Sequence, residues 1–472
     1  MLNEVERTHE KFLLRNVRVL DVKEGALSDP VSVLCAGGII REIGVRSEPR
    51  ECDAVDGEGR TLIPGLINCH AHILSPYLSE QKGIPGRWAL RQIRLNLEGC
   101  LAAGVVCVRD MLSTINIMNI YRRKIASGEL PGPDILASGA ILSCRGGYPE
   151  FINPLAFPLS AMVGQPKLNL HNPKKAAAMV RYLKKCGADH IKIGYTSFTR
   201  DFESQERMPV ISPDVFDVIC TTAHELGLTE ASLKVAVHHN WSEDLAPILS
   251  HDIDSLEHLI FDREITDAEI AAIKDKGVTV VPTLTVTDSM ARYEEKKGFY
   301  ESARAREMLA EQARRHLLWI SSTWLDFKDE SYHKVFGIWR ANREKYAASE
   351  RTARRLHEAG VPLCAGTDLG AVVVCPGELA DEIKRLHHIG MTKLEAIQAA
   401  TLNAAKLLGR GQQLGTVEPG KKADVVLVDG NPLEDLDALR RVRLVGKGGR
   451  WFRPKHPEVP DFWPGFSPVF EG

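Results

Sequence analysis

Short apolar runs alternate with amphipathic helical segments through the middle of the chain, from about residue 62 to residue 405. Glycine or alanine often precedes the apolar runs, as expected for a helix C-cap followed by a short turn. Eight strand–helix units of this kind predict an α/β protein with a parallel (β/α)8, or TIM, barrel. The predicted strands lie at residues 62–67, 105–108, 134–137, 190–193, 234–237, 255–256, 278–281 and 361–365.

Strand patterns without intervening helices flank this region on both sides. Before it, apolar runs at residues 12–20, 31–35 and 39–43 predict short strands. After it, strand patterns return at residues 423–428 and 442–445. We expect the two sets to form one small composite β-sandwich. The predicted division is 1–61 and 406–453 for the β-sandwich, 62–405 for the barrel and 454–472 for an extended arm.

The segment 284–350 contains far more residues than one barrel helix and its loop require. It includes a helical run at residues 303–316. Long insertions in barrels usually follow the strands at the active-site face, so we predict a helical lid. An exposed subunit contact is the alternative interpretation. Three tryptophans of the insertion are candidate substrate contacts: Trp319, Trp324 and Trp339.

Composition narrows the classes of function. The 472 residues carry 60 Lys and Arg against 62 Asp and Glu, and this near-neutral balance gives no signature of nucleic-acid binding. No apolar run approaches the ~18 residues of a membrane helix, and the first twelve residues lack a signal-peptide core. The ten cysteines form no C-x-x-C pair and fit a reducing compartment. We therefore expect a cytoplasmic protein that acts on small molecules, without nucleic-acid or membrane partners, and the extended arm predicts a homo-oligomer.

A His-x-His motif follows the first predicted barrel strand. Alternate residues of a strand point to the same side, so His70 and His72 converge on one point, as ligands of a divalent metal do. Lys192 lies inside another strand, between Ile191 and Ile193, where burying an ammonium is costly. Its amine could react with carbon dioxide to give a carbamate that bridges two metals. A surface lysine whose stem covers apolar side chains is the alternative.

Three further strand ends carry metal-compatible side chains. His238 and His258 each end a predicted strand, and Asp368 follows the last one. The carboxyl ends of barrel strands face a shared site. His239 points away from His238, so at most one of the two is a ligand. Five strand ends therefore direct side chains toward one point, in the order His-x-His, Lys, His, His, Asp.

These motifs resemble the amidohydrolase superfamily, within it the branch that contains imidazolonepropionases and Xaa-Pro dipeptidases. The segment 62–72 is similar to the family's first strand, and 187–193 is similar to the strand of its carboxylated lysine. Segments similar to the sixth and eighth strands lie at 254–258 and 365–368. The resemblance continues at residues 399–405 and 415–428.

The resemblance implies a distorted barrel beside a composite β-sandwich, with a binuclear centre of two divalent metal ions. Zinc is the expected metal, with cobalt, manganese or iron as alternatives, and carbon dioxide is bound as the lysine carbamate. A metal-activated hydroxide would attack a carbonyl carbon, and Asp368 would pass the proton to the leaving nitrogen. The implied ligands form two sets and a bridge: His70, His72 and Asp368; His238 and His258; and carboxylated Lys192 between them.

Departures from peptidase-like relatives bear on the substrate. Where many of those relatives have Gly-Gly-His, this chain has Tyr148, and Asn240 stands where some dipeptidases place a carboxylate-binding tyrosine. Arg145 could replace that anchor, and Tyr195 and His239 could also line the site. We therefore predict a hydrolase of an amide, carbamate or urea that carries an apolar or aryl group. The alternatives are an Xaa-Pro-type dipeptidase and a cyclic-amide hydrolase or deaminase, whereas a non-catalytic scaffold would have lost ligands that this chain retains.

Overall fold

The computed structural model describes residues 1–47, 49–75, 87–148, 170–197, 207–227, 233–323, 343–371 and 374–462. Strands β1 to β18 are Leu2–Glu4, Lys11–Asp21, Ala26–Leu27, Val31–Ala36, Ile39–Ile43, Cys52–Asp56, Thr61–Pro64, Leu66–Ala71, Val105–Asp110, Asp134–Ala137, Ile141–Leu142, His190–Gly194, Lys234–His238, Ser255–Glu257, Thr279–Val281, Val425–Val428, Val442–Lys447 and Arg450–Pro454. Helices α1 to α14 are Arg87–Ala102, Ile115–Ala126, Pro173–Lys185, Pro213–Gly227, Ser242–Leu249, Asp267–Asp275, Leu284–Arg292, Lys297–Glu301, Ala303–Met308, Glu311–Thr323, Arg343–Glu358, Leu379–His388, Lys393–Ala399 and Leu402–Leu407. Within these ranges, no helix combines the length and apolar character needed to cross a bilayer.

One mixed sheet combines strands from both ends of the sequence. Its order is β1-β18-β17-β16-β7-β2-β4-β5, and β3 and β6 also pair with β2. β16 runs antiparallel to β7, which runs parallel to β2. The buried face includes Phe12 and Trp451, whose rings stack with centroids 4.3 Å apart. The expected composite β domain is confirmed.

The first predicted barrel strand is wrong at its boundaries. The pattern predicts one strand at residues 62–67, whereas the chain divides at Gly65 into β7 and β8. β7 joins the β domain, and β8 starts the barrel beside β9. A Cβ on Gly65 would lie 2.4 Å from Val106 Cγ2 and 2.8 Å from the Asp424 carbonyl oxygen, so only glycine fits there. The residues of β7 and β8 are buried on both faces of their sheets, so both strands have continuous apolar sequences. The hydrophobic pattern therefore does not show where the chain passes from one sheet to the other.

The barrel strands are parallel. β8, β9 and β10 form one set, and β11 to β15 form another. On one side the sets meet where the Asp189 amide donates to the Ala137 carbonyl. On the other side the predicted strand 361–365 lies beside β15, but it forms a single parallel bridge, between Leu363 and Val280, rather than a regular strand. A buried apolar cluster fills the space between the strands and the surrounding helices. This architecture confirms the predicted distorted (β/α)8 barrel beside a β-sandwich domain.

The described part of the insertion is helical, but the predicted run at residues 303–316 is interrupted. α9 ends at Met308 and α10 begins at Glu311. The break has a tertiary cause, since the Ala310 amide donates to Gln92 Oε1 of α1 at 2.7 Å. The insertion therefore packs against α1, the helix that leads into β9. Its movement as a lid stays a prediction.

Candidate metal centre

Three buried side chains meet at the carboxyl ends of the barrel strands. His70 lies in β8, His258 directly follows β14, and Asp368 follows the segment 361–365 that bridges to β15. Each offers one ligand atom, and these atoms all lie within 4.8 Å of one another. Imidazole and carboxylate groups at that spacing form a candidate site for a divalent metal.

His72 joins this group through Asp368. Its Nε2 lies 2.9 Å from Asp368 Oδ1, and His70 Nε2 lies 3.3 Å from the same oxygen. Asn68 braces the turn, because its Oδ1 accepts from the Thr367 amide at 3.1 Å and its Nδ2 donates to the Thr367 hydroxyl at 2.8 Å. Burial alone would raise the pKa of Asp368, but the imidazoles of His70 and His72 outweigh it and lower that pKa. The carboxylate is therefore ionised.

His238 lies on the other side of His258. It ends β13, and the two rings are 4.7 Å apart between centroids. Tyr148 stacks on the His238 ring at 3.8 Å, with 6° between the planes. His239 is also buried, and its amide donates to the Glu257 carbonyl at 3.4 Å. Of the two adjacent histidines, His238 has a described ring contact with the His258 imidazole.

Lys192 lies in β12, one layer deeper in the barrel than His238, since its register partner in β13 is Ala236. Its side chain is 1% exposed, and its Nζ has no hydrogen-bond partner among the described residues. Burial lowers the pKa of this lysine to about 7. The neutral amine, the form that reacts with carbon dioxide, is therefore accessible near neutral pH.

Residues 61–452 match the model of the Amidohydrolase family, which is most of the chain. The chain belongs to the amidohydrolase family. This amidohydrolase is 24% identical over 423 residues to the ochratoxinase of Aspergillus niger, across 83% of this chain and 75% of that protein. Its fold is similar to that of an Xaa-Pro dipeptidase with bound methionine, with TM-score 0.73, 25% identity, and coverage of 94% of this chain and 100% of the other. Phenylurea hydrolase B is also similar, with TM-score 0.68, 22% identity, and coverage of 93% and 96%. Family membership confirms a hydrolytic enzyme that acts on C–N bonds.

The amidohydrolase buries a charged network that sequence reasoning missed. The Glu257 carboxylate is fully buried and accepts from Arg109 Nη2 at 2.9 Å and from Ser255 Oγ at 2.6 Å. Its other oxygen lies 2.8 Å from His70 Nδ1. Because Nδ1 is engaged, Nε2 is the nitrogen that His70 can offer to a metal. Burial alone would raise the pKa of Glu257, but Arg109, and after it Lys192, hold that pKa well below its usual value.

Backbone strain is present at the same place in this amidohydrolase. His258, Thr283 and Asp368 have φ angles of 71°, 52° and 59°. Positive φ is uncommon outside glycine, and for a β-branched residue such as threonine it is a genuine outlier. Such strain persists only where the surroundings enforce it, and it clusters at active sites. Thr283 therefore joins the candidate site, although no sequence motif marks it.

The predicted substrate contacts lie in different environments. Arg145 is exposed and Asn240 is half-buried. The Tyr195 ring lies 5.5 Å from the Phe216 ring of α4, which places it between the barrel strand and its covering helix. Among these predicted contacts, Tyr148 has a described stack on a candidate ligand.

The tryptophans of the insertion add little to the candidate site. Trp319 is 37% exposed, and its ring lies 5.8 Å from the His316 ring of the same helix. Trp324 and Trp339 lie outside the described residues. Among the predicted contacts, the ring described beside a candidate ligand is therefore that of Tyr148 and not that of Trp319.

Proposed function

We propose that this amidohydrolase is a binuclear metal-dependent hydrolase that cleaves the C–N bond of an amide, carbamate or urea. Its substrate is a small molecule with an apolar or aryl group. The observation that carries the proposal is the convergence of His70, His258 and Asp368 at the mouth of the barrel.

The side chains present fit two divalent ions. Four imidazoles and a carboxylate form a donor set that zinc accepts, and cobalt, manganese and iron also bind such donors. The buried Nε2 of His238 and Nζ of Lys192 have no partner among the described residues, whereas buried polar atoms are normally satisfied. Two ions and a lysine carbamate would satisfy both atoms. We assign one ion to His70, His72 and Asp368, the other to His238 and His258, and the bridge to carboxylated Lys192.

When bound, divalent metals lower the pKa of water toward ~7 and polarise a carbonyl oxygen. Asp368 acts as the proton relay, because its ionised carboxylate takes the proton of the attacking water and gives it to the leaving nitrogen. The water oxygen ends on the carbonyl carbon, the C–N bond breaks and the amine departs protonated. Asn68 keeps the Asp368 turn in place through its two bonds to Thr367.

An uncharged aromatic surface beside the centre supports an apolar substrate. The Tyr148 ring covers His238 at 3.8 Å, and aromatic walls bind apolar and aryl groups. Among the similar proteins, ochratoxinase is named for a toxin and phenylurea hydrolase B for a urea that carries an aryl group, which supports these classes of substrate.

A dipeptidase is the second candidate. The similarity to the Xaa-Pro dipeptidase favours it. Arg145, exposed three residues before Tyr148, offers a guanidinium that could bind the free carboxylate of a peptide. A dipeptidase differs from the first candidate function because its substrate carries a negative charge.

Metal removal tests the centre. Dialysis against a chelator should abolish hydrolysis, and added Zn²⁺ should restore it.

Lys192→Ala should lower the metal content measured by mass spectrometry, with partial rescue by a short carboxylic acid that replaces the carbamate. Lys185→Ala, at an exposed position of α3, is the matched control and should keep its metals. Full activity after metal removal would refute the proposal, and unchanged metal content in Lys192→Ala would refute the carbamate.

A hydrolysis screen read by mass spectrometry tests the substrate class. It compares dipeptides, N-acyl amino acids, aryl amides, carbamates and phenylureas under the same conditions. We expect turnover of the aryl amides, carbamates or phenylureas, and little effect of Arg145→Ala on them. Preferred turnover of dipeptides, with a raised KM in Arg145→Ala, would instead establish the dipeptidase.

A further inference from the structure

Thr283 connects the candidate metal centre to the helical insertion. It is fully buried, and its Oγ1 lies 2.7 Å from His258 Nδ1. The His258 amide also donates to the Val281 carbonyl at 2.9 Å. The end of β15 therefore holds His258 at two points, its backbone and its ring. Nε2 is the ring nitrogen that remains for a ligand.

Glu382 holds the chain immediately after Thr283. Its buried carboxylate accepts from the Leu284 amide at 3.0 Å, the Thr285 amide at 2.7 Å and the Thr285 hydroxyl at 2.7 Å. Amides in the first turn of a helix have no intrahelical acceptor, and negative charge is favoured there. Glu382, which lies in α12, therefore fixes the first turn of α7 and with it the conformation of Thr283.

We infer that Thr283 is a positioning residue that fixes the His258 ring with Nδ1 protonated and Nε2 directed at the metal site. Glu382 keeps Thr283 in the required left-handed conformation. The inference rests on the proposed function for the role of His258 as a metal ligand. It makes the first turn of the insertion a structural part of the metal centre, so displacement of α7 weakens metal binding.

Three replacements of Thr283 distinguish the effects of its backbone strain, its hydroxyl group and the shape of its side chain. Glycine adopts a φ of 52° without strain but has no hydroxyl for His258. Serine keeps the hydroxyl, and valine keeps the shape of threonine without it. A role confined to packing predicts that valine is the mildest change, whereas the positioning role predicts that serine is.

Zn²⁺ affinity, measured by competition with a chelator, is the first readout. Thr283→Val should weaken binding roughly 10- to 100-fold, as loss of an outer hydrogen-bond partner does, and Thr283→Ser should stay near the wild type. Thr283→Gly should weaken Zn²⁺ binding although it relieves the strain, because no hydroxyl remains for His258. Glu382→Gln should also weaken binding. Thr287→Ala, which removes a hydroxyl that donates to the Thr283 carbonyl at 3.3 Å, is the control and should not.

The tautomer of His258 is the second readout, from ¹⁵N NMR of the metal-free protein with labelled histidine. Wild type should show a single Nδ1–H form, and Thr283→Val a mixture. Tight Zn²⁺ binding by the valine variant, or an Nε2–H form in the wild type, would overturn the inference. If Thr283→Val does not fold, the Zn²⁺ affinities of Thr283→Ser and Thr283→Gly test the inference instead. Weak Zn²⁺ binding by Thr283→Ser would also overturn the inference. A wild-type chain that binds no Zn²⁺ would instead refute the proposed function, and the tautomer would still test Thr283.

Discussion

Asp368→Asn should lower kcat by roughly 10²- to 10⁴-fold, the usual contribution of a positioned general acid–base group. Asparagine keeps the size of the side chain and an oxygen beside His70 and His72, but it cannot take a proton from water. The loss should appear equally in kcat and kcat/KM, because the proton transfer stabilises only the transition state. Steady-state kinetics on the best substrate of the screen, with metal content measured in parallel, gives this result directly.

Asp254→Asn is the matched control. It removes a carboxylate that precedes β14, at the amino end of the barrel strands, where Asp254 contacts His224 at 2.9 Å and Lys234 at 2.6 Å. This change should lower stability and leave kcat of the folded enzyme intact. Retained kcat in Asp368→Asn with full metal content, or an equal loss in Asp254→Asn, would show that Asp368 is not the relay.

Arg109→Met should lower the free energy of unfolding by about 3–5 kcal/mol, the usual cost of leaving a buried charge without its partner. Arg109 is 1% exposed, and the Glu257 carboxylate it contacts is fully buried. Without the guanidinium, Glu257 keeps Ser255 and His70 but has lost the cation that donates a hydrogen bond to it. Urea unfolding followed by circular dichroism measures the change. Metal affinity should fall too, because Glu257 orients the His70 ring.

The double variant Arg109→Met/Glu257→Gln separates charge from packing. It removes both buried charges, so it should be more stable than Arg109→Met alone. The coupling between the two sites then reports their interaction. Arg109→Met with the stability of the wild type would show that the unpaired buried charge does not destabilise the protein. The same conclusion would follow if Glu257→Gln lowered the free energy of unfolding as much in the Arg109→Met variant as in the wild type.

The barrel and the metal-compatible residues could be predicted because both follow local patterns. Apolar runs of strand length, separated by helices, indicate parallel strands, and the histidines and Asp368 stand where those runs end. Lys192 could be singled out because a lysine between two isoleucines contradicts its surroundings. The composite β domain was predictable for a similar reason, since strands at both ends of the sequence have no helices between them.

Residues whose role depends on a distant partner could not be predicted in this way. The apolar run at 105–108 predicts a strand that ends before Arg109, whereas β9 continues to Asp110, and the pattern therefore gives no sign of the buried arginine. Glu257 precedes a candidate ligand, but its partner Arg109 is 148 positions away. Thr283 belongs to no motif, and its φ angle depends on bonds made by Glu382. The division at Gly65 depends on the close approach of Val106 and Asp424.

The pairing of β7 with β16 has a consequence for synthesis on the ribosome. Because β7 ends at Pro64 and β16 begins at Val425, a ribosome adding about 5–20 residues per second needs roughly 20–70 s to reach the partner strand. Throughout that interval β7 has an open edge and the apolar side chains of Leu62 and Ile63 lack their cover. Open edges recruit strands from other chains. The barrel strands are all made within this interval, so the β domain is completed after them, and until then its first half can pair with strands from other chains.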